Sequence, residues 1–348
     1  MSLYKKFASN KAMKDLIKTK EPLEFISTGV ITLNILFSGQ VRGGIPKGRM
    51  VVFAAPSQSA KTTTALGVLK NAQKSGMECV IIDAEKRFDY DWARSLGIDT
   101  SEEKLLVLRT SSIIEIKQII QELKAGKTRK ERENTFVMFD SWGTIVSPTT
   151  IDKAEKGSDT RNMSEAVWKN ELANIITESD LTYFVITHVY DNVGGYGELL
   201  KVSGGNKLYL NSDGVVMTTT KNKDKESKDS SEVDGFILGG TTHKGTKAIP
   251  KIRLDYRLNF KGGLDPWYGL LDDALEGGFV VKEGNSFVRP SVDDTKFSKK
   301  ELYTNEFWVP IFKKTKFEGY LNGKYCVESE EAYIDSDDVT DLLYGKDA

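Results

Sequence analysis

The chain has 348 residues, 39% of them hydrophobic and 28% charged, with a net charge of −1. That length suits one large domain with appendages or two domains, and the near-neutral balance excludes a global attraction to nucleic acid or anionic lipid, so any DNA contact must come from a local basic patch or a loop. Two cysteines, Cys79 and Cys326, and two histidines, His188 and His243, are too few for a disulfide framework, a zinc set or a histidine-rich metal centre.

In chain order, Met1–Lys20 is mixed polar and basic, with no apolar core of signal-peptide length, and no later apolar run is long enough to span a bilayer. A soluble, intracellular chain with no membrane partner is expected. Lys5–Lys20 reads as a short basic helix with Phe7, Met13 and Ile17 as its apolar contacts, broken by Glu21–Pro22. From Phe25 onward, strand and helix patterns alternate. Met50–Ala54 is a short apolar run ending in a loop, Thr63–Gln73 is helix-like, and Glu78–Ile82 is a buried strand running into Asp83-Ala84-Glu85. Leu105–Leu108 is a strand, and Ile113–Leu123 carries Ile113, Ile116, Ile119, Ile120 and Leu123 at helical spacing. Phe136–Phe139 is a strand ending at Asp140, Ala166–Thr177 is helical, and Leu181–Thr187 is again a strand. Alternation of this kind requires crossovers and predicts an α/β fold with a mostly parallel central sheet.

Two segments depart from that pattern. Thr150–Asn162 is polar and charged, and Asp191–Asn206 is rich in glycine; loops this long inside a compact domain are usually functional or disordered. Lys221–Glu232 is a charge run without an apolar residue and reads as a surface hairpin tip or linker. Asp234–Gly239, Lys251–Phe260 and Gly278–Lys282 are further strand candidates. The composition changes after Ser286, and Glu328–Asp341 carries only acidic charge, as expected of a solvated tail.

The chemistry concentrates after Met50–Ala54, where Ala55-Pro56-Ser57-Gln58-Ser59-Ala60-Lys61-Thr62 is followed by Thr63. A phosphate-binding loop works through converging backbone N–H groups, a Lys on the terminal phosphates and a hydroxyl on Mg²⁺. Here the Lys and Thr are present, but alanine occupies both positions where glycine is usual. If either position needs a positive φ, alanine costs on the order of 1 kcal/mol. Taken alone, the stretch reads equally as a nucleotide site or as a turn with no ligand. The preceding strand and following helix favour the site, because a helix N-terminus adds partial positive charge. Two further strands end in acids, and strand ends on one edge of a parallel sheet converge. Asp140, with Ser141 beside it, fits the acid that orients hydrated Mg²⁺, and Glu85 fits a residue that positions and deprotonates water. A lone strand-end Asp would more simply cap the next helix.

The ordered set FISTGVITLNILFSGQVRGGIPKGRMVVFAAPSQSAKTTT, DAEKRFDYDWARSLGID, FVMFDSWGTIV, FVITHVYDNVGGYG and SGGN resembles the ATPase core of RecA-type recombinases, and in particular the phage recombinases of the UvsX type. FKGGLDPWYGLLDDALEGGFVVK is similar to the region that follows that core, with a weaker echo at NEFWVPIF. The resemblance implies three parts: a protomer-docking arm at 1–27, a RecA-like ATPase core with two DNA-binding loops at 28–275, and a small C-terminal region with an acidic tail at 276–348. It implies ATP and Mg²⁺ as cofactors, with Lys61 and Thr62 on the β/γ-phosphates and the metal, Glu85 activating water, and Asp140 with Ser141 on the metal and γ-phosphate side. Asp89 and Trp92 fall where the family contacts and stacks the adenine. His188 falls where RecA has a γ-phosphate-sensing glutamine and UvsX-type proteins have histidine; from the residues alone it reads as a satisfied strand-end histidine.

The same resemblance makes Lys153–Arg161 and Asp191–Lys201 the two DNA-binding loops. Single-strand binding needs cations, backbone donors and stacking side chains. Lys153, Lys156, Arg161 and Lys201 supply charge, Gly194, Gly195, Gly204, Gly205 and Asn206 allow close backbone approach, and Tyr190 and Tyr196 are placed to contact bases. Lys244 and Lys247, in THKGTK, sit where the family's neighbouring subunit reaches the γ-phosphate, although the spacing differs from RecA. Ala55 replaces the first loop glycine, Ala60 lies where UvsX-type proteins also lack glycine, and Lys86-Arg87 is more basic than usual beside Glu85.

The function implied is a DNA-dependent ATPase that forms filaments on single-stranded DNA and promotes homologous pairing and strand exchange, aided by a loader and a single-strand-binding protein, in the cytoplasm of the host if phage-encoded. The alternatives are another RecA-fold motor such as a helicase, or a nucleotide-binding filament or accessory protein with weak or no hydrolysis. A small-molecule kinase is disfavoured, since no arginine-rich lid segment accompanies the loop.

Overall fold

The computed structural model describes residues 2–10, 22–148, 150, 163–191, 200–224 and 233–327. The chain opens with α1 (Leu3–Ala8), β1 (Phe25–Ile26), α2 (Ile31–Ser38) and β2 (Ile45–Pro46). There follow β3 (Met50–Ala55), α3 (Lys61–Lys74), β4 (Glu78–Asp83), α4 (Tyr90–Ser95), β5 (Leu105–Leu108), α5 (Ile113–Lys124), α6 (Arg129–Glu133) and β6 (Thr135–Asp140). The second half contributes α7 (Met163–Thr177), β7 (Thr182–Asp191), β8 (Leu200–Val202), α8 (Asn206–Asn211), β9 (Gly214–Asp224), β10 (Gly235–Lys244), β11 (Arg253–Asn259) and β12 (Gly263–Leu264). It closes with α9 (Leu271–Glu276), β13 (Val281–Glu283), β14 (Ser286–Arg289), β15 (Asp293–Phe297), α10 (Asn305–Lys314) and α11 (Phe317–Tyr325).

The main sheet runs β12-β11-β10-β9-β3-β7-β6-β4-β5, with β8 on β7. The block from β9 to β5 is parallel, and β10, β11 and β12 continue it antiparallel. Strand β3 is central and buried along its whole length, which is why its sequence MVVFAA is uninterrupted by polar residues. Period-two alternation sends its side chains to opposite faces. Val51 and Phe53 join a cluster with Leu36, Leu66 and Leu69, while Met50, Val52 and Ala54 join one with Ile116, Ile120 and Leu172. Helices α2 and α3 cover the first face, and α5 and α7 cover the second.

From β3 onward the expected elements are present with shifted ends, whereas the helix expected over Lys5–Lys20 stops at Ala8, with residues 11–21 outside the described residues. Strand β7 runs to Asp191, past the expected Thr187, because Val189, Tyr190 and Asp191 pair antiparallel with Val202, Lys201 and Leu200 of β8. The glycine-rich segment is therefore not all loop: its two ends form a hairpin. The charge run is split in the same way, with Lys221–Asp224 finishing β9 in a hairpin to β10. Helix α1 has no buried residue, and Phe7 is exposed rather than packed; Met13 and Ile17 lie outside the described residues. The region after Ser286 holds more core than its composition suggested, since Phe297, Phe307, Trp308 and Phe317 are buried in the same cluster as Val51 and Phe53.

Candidate nucleotide site

Parallel register gathers the site. Ala55 is level with His188 on β7, and Asp83 of β4 is level with Asp140 of β6. The loop after β3, the acids after β4 and β6, and His188 thus occupy one carboxyl edge of four adjacent strands, where parallel sheets present ligand sites.

The loop answers the glycine question position by position. Ala55 ends β3 fully buried, in strand conformation. Ala60 has φ +54° and precedes the first turn of α3, and Gln58 has φ +61°. A left-handed turn at both residues folds the loop back on itself, and Ser59 Oγ donates to the Pro56 carbonyl at 2.6 Å. Only the second usual glycine position demands a conformation that alanine resists.

Lys61 Nζ donates to the same Pro56 carbonyl at 2.6 Å and lies 3.4 Å from His188 Nδ1. Burial lowers the Lys61 pKa, opposed by Glu85 and Asp140. His188 is held below its ordinary range by burial and then by Lys61. Its Nε2 is 3.8 Å from Glu85 Oε1, so a neutral ring with its proton on Nε2 suits both neighbours. Ser141 Oγ donates to Glu85 Oε1 at 2.8 Å. Thr62 Oγ1 donates to Asp140 Oδ2 at 2.9 Å. Burial pushes Asp140 up to about 6; the Thr62 bond opposes this, and the nearby Glu85 and Asp83 charges add to it.

These residues fit a nucleotide with a divalent cation. The Thr62 hydroxyl and Asp140 carboxylate form a pair of hard oxygen donors at the start of α3, and a cation there would lower the Asp140 pKa and hold the carboxylate ionised. Lys61 spends its charge on a carbonyl and an imidazole, weaker partners than a phosphate. Ser57 is exposed on the loop, and Thr63 sits in the first turn of α3.

Other expected residues lie elsewhere. Asp89 caps α4 by accepting from the Trp92 amide at 2.9 Å, so its carboxylate is engaged locally, and Trp92 is partly exposed. Lys244 pairs with Val215, a residue level with Val52, back from the loop toward the amino edge of the sheet. Its Nζ donates to the Leu210 carbonyl at 2.8 Å, and Lys247 follows beyond the end of β10. Neither lysine is among the residues gathered around Lys61.

Of the DNA-loop candidates, Lys153, Lys156, Arg161, Gly194, Gly195 and Tyr196 lie outside the described residues, and Lys201 is placed only as part of β8. Tyr190 is 53% exposed on β7. Gly205 and Asn206 are exposed at the start of α8. Gly204 packs closely: its φ is +122°, a Cβ there would lie 2.5 Å from Trp142 Cδ1, and Trp142 Nε1 donates to its carbonyl at 3.1 Å.

Sequence reasoning missed three features. Trp142 joins the Ser141 end of β6 to Gly204. Thr187 Oγ1 donates to the Ser203 carbonyl and the Ser203 amide donates to the His188 carbonyl, both at 2.8 Å. A cleft of about 270 Å³ beside α3 brings Gly262, Gly263 and Leu264 next to Thr63, Gly67 and Leu96. The glycine pair in FKGGLDP was the available signal for the last of these.

Residues 1–237 match the RecA N-terminal domain family, and residues 267–321 match the C-terminal domain of the bacteriophage T4 recombination and repair protein. The chain is 26% identical over 347 residues to the recombination and repair protein of Enterobacteria phage T4, covering 94% of this chain and 82% of that relative. It is 29% identical over 291 residues to protein RecA of Sulfurovum sp. (strain NBC37-1), covering 81% and 79%. The crystal structure of the RadB recombinase shares the fold, with a TM-score of 0.50 at 17% identity, covering 69% of this chain and 98% of that one. Since the RecA N-terminal match spans well over half of its length, the chain belongs to the RecA family of recombinases.

Proposed function

We propose that this RecA-family recombinase, a DNA-dependent ATPase, assembles as a helical filament on single-stranded DNA and there promotes homologous pairing and strand exchange with duplex DNA. The observation that carries the reading is the continuity of β7. The strand that bears His188 beside Lys61 runs directly into the hairpin with β8, whose connection is the second candidate DNA loop. A change at the nucleotide end of this strand is therefore felt at the base of that loop.

Lys61, Thr62 and the loop amides bind the phosphates of ATP, with Mg²⁺ beside Thr62 and Asp140. When bound, the metal neutralises charge on the β- and γ-phosphates. Glu85, held by the Ser141 hydroxyl, orients a water and accepts its proton. When Lys61 turns to a γ-phosphate it leaves Pro56 and the unprotonated Nδ1 of His188, so the ring is free to swing its Nε2–H from Glu85 toward the phosphate and shift β7. Lys153, Lys156, Arg161 and Lys201 then hold the DNA backbone, with Tyr190 and Tyr196 against bases. Lys244 and Lys247 act on the γ-phosphate of an adjacent protomer, since Lys244 is directed away from its own loop. Asp89 and Trp92 bind the adenine.

The division into an arm at 1–27, a core at 28–275 and a C-terminal region at 276–348 fits this scheme, with the arm docking on the next protomer. A loader and a single-strand-binding protein are the expected partners, and the host cytoplasm the expected location. The test is ATP hydrolysis with and without single-stranded DNA, with Lys61→Ala as the blank. Strong stimulation by DNA supports the proposal. Turnover indifferent to DNA favours another RecA-fold motor, and bound ATP without turnover favours a non-hydrolysing filament protein.

A further inference from the structure

The turn that follows Glu85 is held from two sides. Asp83, nearly fully buried at the end of β4, accepts the backbone amides of Arg87 and Phe88, each at 3.0 Å. Arg109, the residue after β5, places Nη2 2.6 Å from the Lys86 carbonyl and Nε 3.5 Å from Asp83 Oδ2. Between these contacts Lys86 sits at φ +57°, a left-handed conformation that L side chains rarely adopt and that surrounding contacts must enforce. On its other side Glu85 is tied to β6, since the Ala84 and Glu85 amides donate to the Asp140 carbonyl at 2.8 and 3.2 Å. The backbone that carries Glu85 is thus held by an anchor at Asp140 and a clamp at Lys86, while its carboxylate meets Ser141 Oγ at 2.8 Å and Arg87 Nη1 at 3.9 Å.

We infer that Arg109 is a positioning residue for hydrolysis: with Asp83 it fixes the left-handed turn at Lys86 and so aims the Glu85 carboxylate. The inference rests on the reading that Glu85 activates water. A planar guanidinium suits the task because one side chain reaches a carbonyl and a carboxylate at once. Arg109 lies on the outermost strand side of the sheet, is largely exposed, and walls the groove formed with Leu106, Leu108, Ile119 and Leu123. Its removal therefore opens no hole in the core.

The experiment compares ATP turnover by the full-length protein, Arg109→Ala, Arg109→Lys and Glu85→Gln at saturating single-stranded DNA. Arg109→Ala is expected to lower kcat on the order of ten-fold with KM for ATP unchanged, the pattern of a misplaced catalytic group. Arg109→Lys should recover part of the rate through a single bond to Lys86 or Asp83, and melting temperatures should stay level across the set. Wild-type kcat in Arg109→Ala, with Glu85→Gln inactive, overturns the positioning role and leaves Glu85 in place. A parallel loss of ATP affinity in Arg109→Ala, or no recovery in Arg109→Lys, overturns it too. Normal turnover by Glu85→Gln instead removes the reading of Glu85 on which the inference stands.

Discussion

Lys61 Nζ stands 3.4 Å from His188 Nδ1 while it donates to the Pro56 carbonyl, so a single ammonium joins the phosphate loop to β7. The loop that follows Ala55 is in this way joined to the strand with which Ala55 pairs. His188→Ala should leave ATP affinity close to wild type and remove the coupling to DNA. The ratio of turnover with and without single-stranded DNA, expected to fall toward one, is the measurement.

Asp140 carries the clearest pH signature. Its carboxyl is raised from 3.8 to about 6, chiefly by burial. Protonation therefore favours the folded, nucleotide-free protein: this contribution is full below pH 3.8 and is lost as the pH rises through about 6. Asp140→Asn should then stabilise the free protein near neutral pH by about 1–3 kcal/mol, since each tenfold change in proton affinity corresponds to about 1.4 kcal/mol. The gain should shrink on acidification, and Mg²⁺-dependent turnover should be lost. Thermal melts over a pH series, with ATPase assays alongside, check both halves.

Alanine at the two usual glycine positions should respond in opposite directions. Ala60→Gly relieves a φ of +54° and should stabilise the protein by about 1 kcal/mol without loss of turnover. Ala55→Gly removes a buried side chain from a central strand and should destabilise by roughly 0.5–1 kcal/mol. Urea unfolding midpoints of the two variants decide this.

Glu85→Gln keeps a side chain that can still accept from Ser141 but can no longer take a proton from water. ATP-dependent DNA binding should persist while hydrolysis stops. Single-turnover hydrolysis and DNA-binding titrations in the same buffer separate the two effects.

Gly204→Ala places a methyl against the Trp142 ring at a positive φ, forcing the segment after β8 to move. Affinity for single-stranded DNA should fall, with ATP affinity unchanged. Equal DNA affinity in wild type and variant would mean that the Trp142 contact does not transmit to the loop.

Much of the fold was legible because β3, β4, β6 and β7 are apolar runs with sharp polar ends, and a buried parallel strand admits little else. The extension of β7 to Asp191 was hidden, since β8 stabilises it through backbone pairing that leaves no apolar pattern. The C-terminal core was hidden for another reason: Phe297, Phe307, Trp308 and Phe317 are spread among charged residues and become a cluster only when folded together.

Local spacing by itself determined the chemical parts: a strand–loop–helix with Lys61 and Thr62, and strands that end in Asp83-Ala84-Glu85 and Asp140-Ser141. Those signals are local because a phosphate loop and a strand end are each built from a few consecutive residues. Which parts meet was decided only by tertiary structure. Register sets Ala55 beside His188 and Asp83 beside Asp140, strand order carries Lys244 away from its own loop, and Arg109 reaches Lys86 from a different strand. Contacts between residues so distant along the chain follow from sheet pairing, which no local pattern encodes.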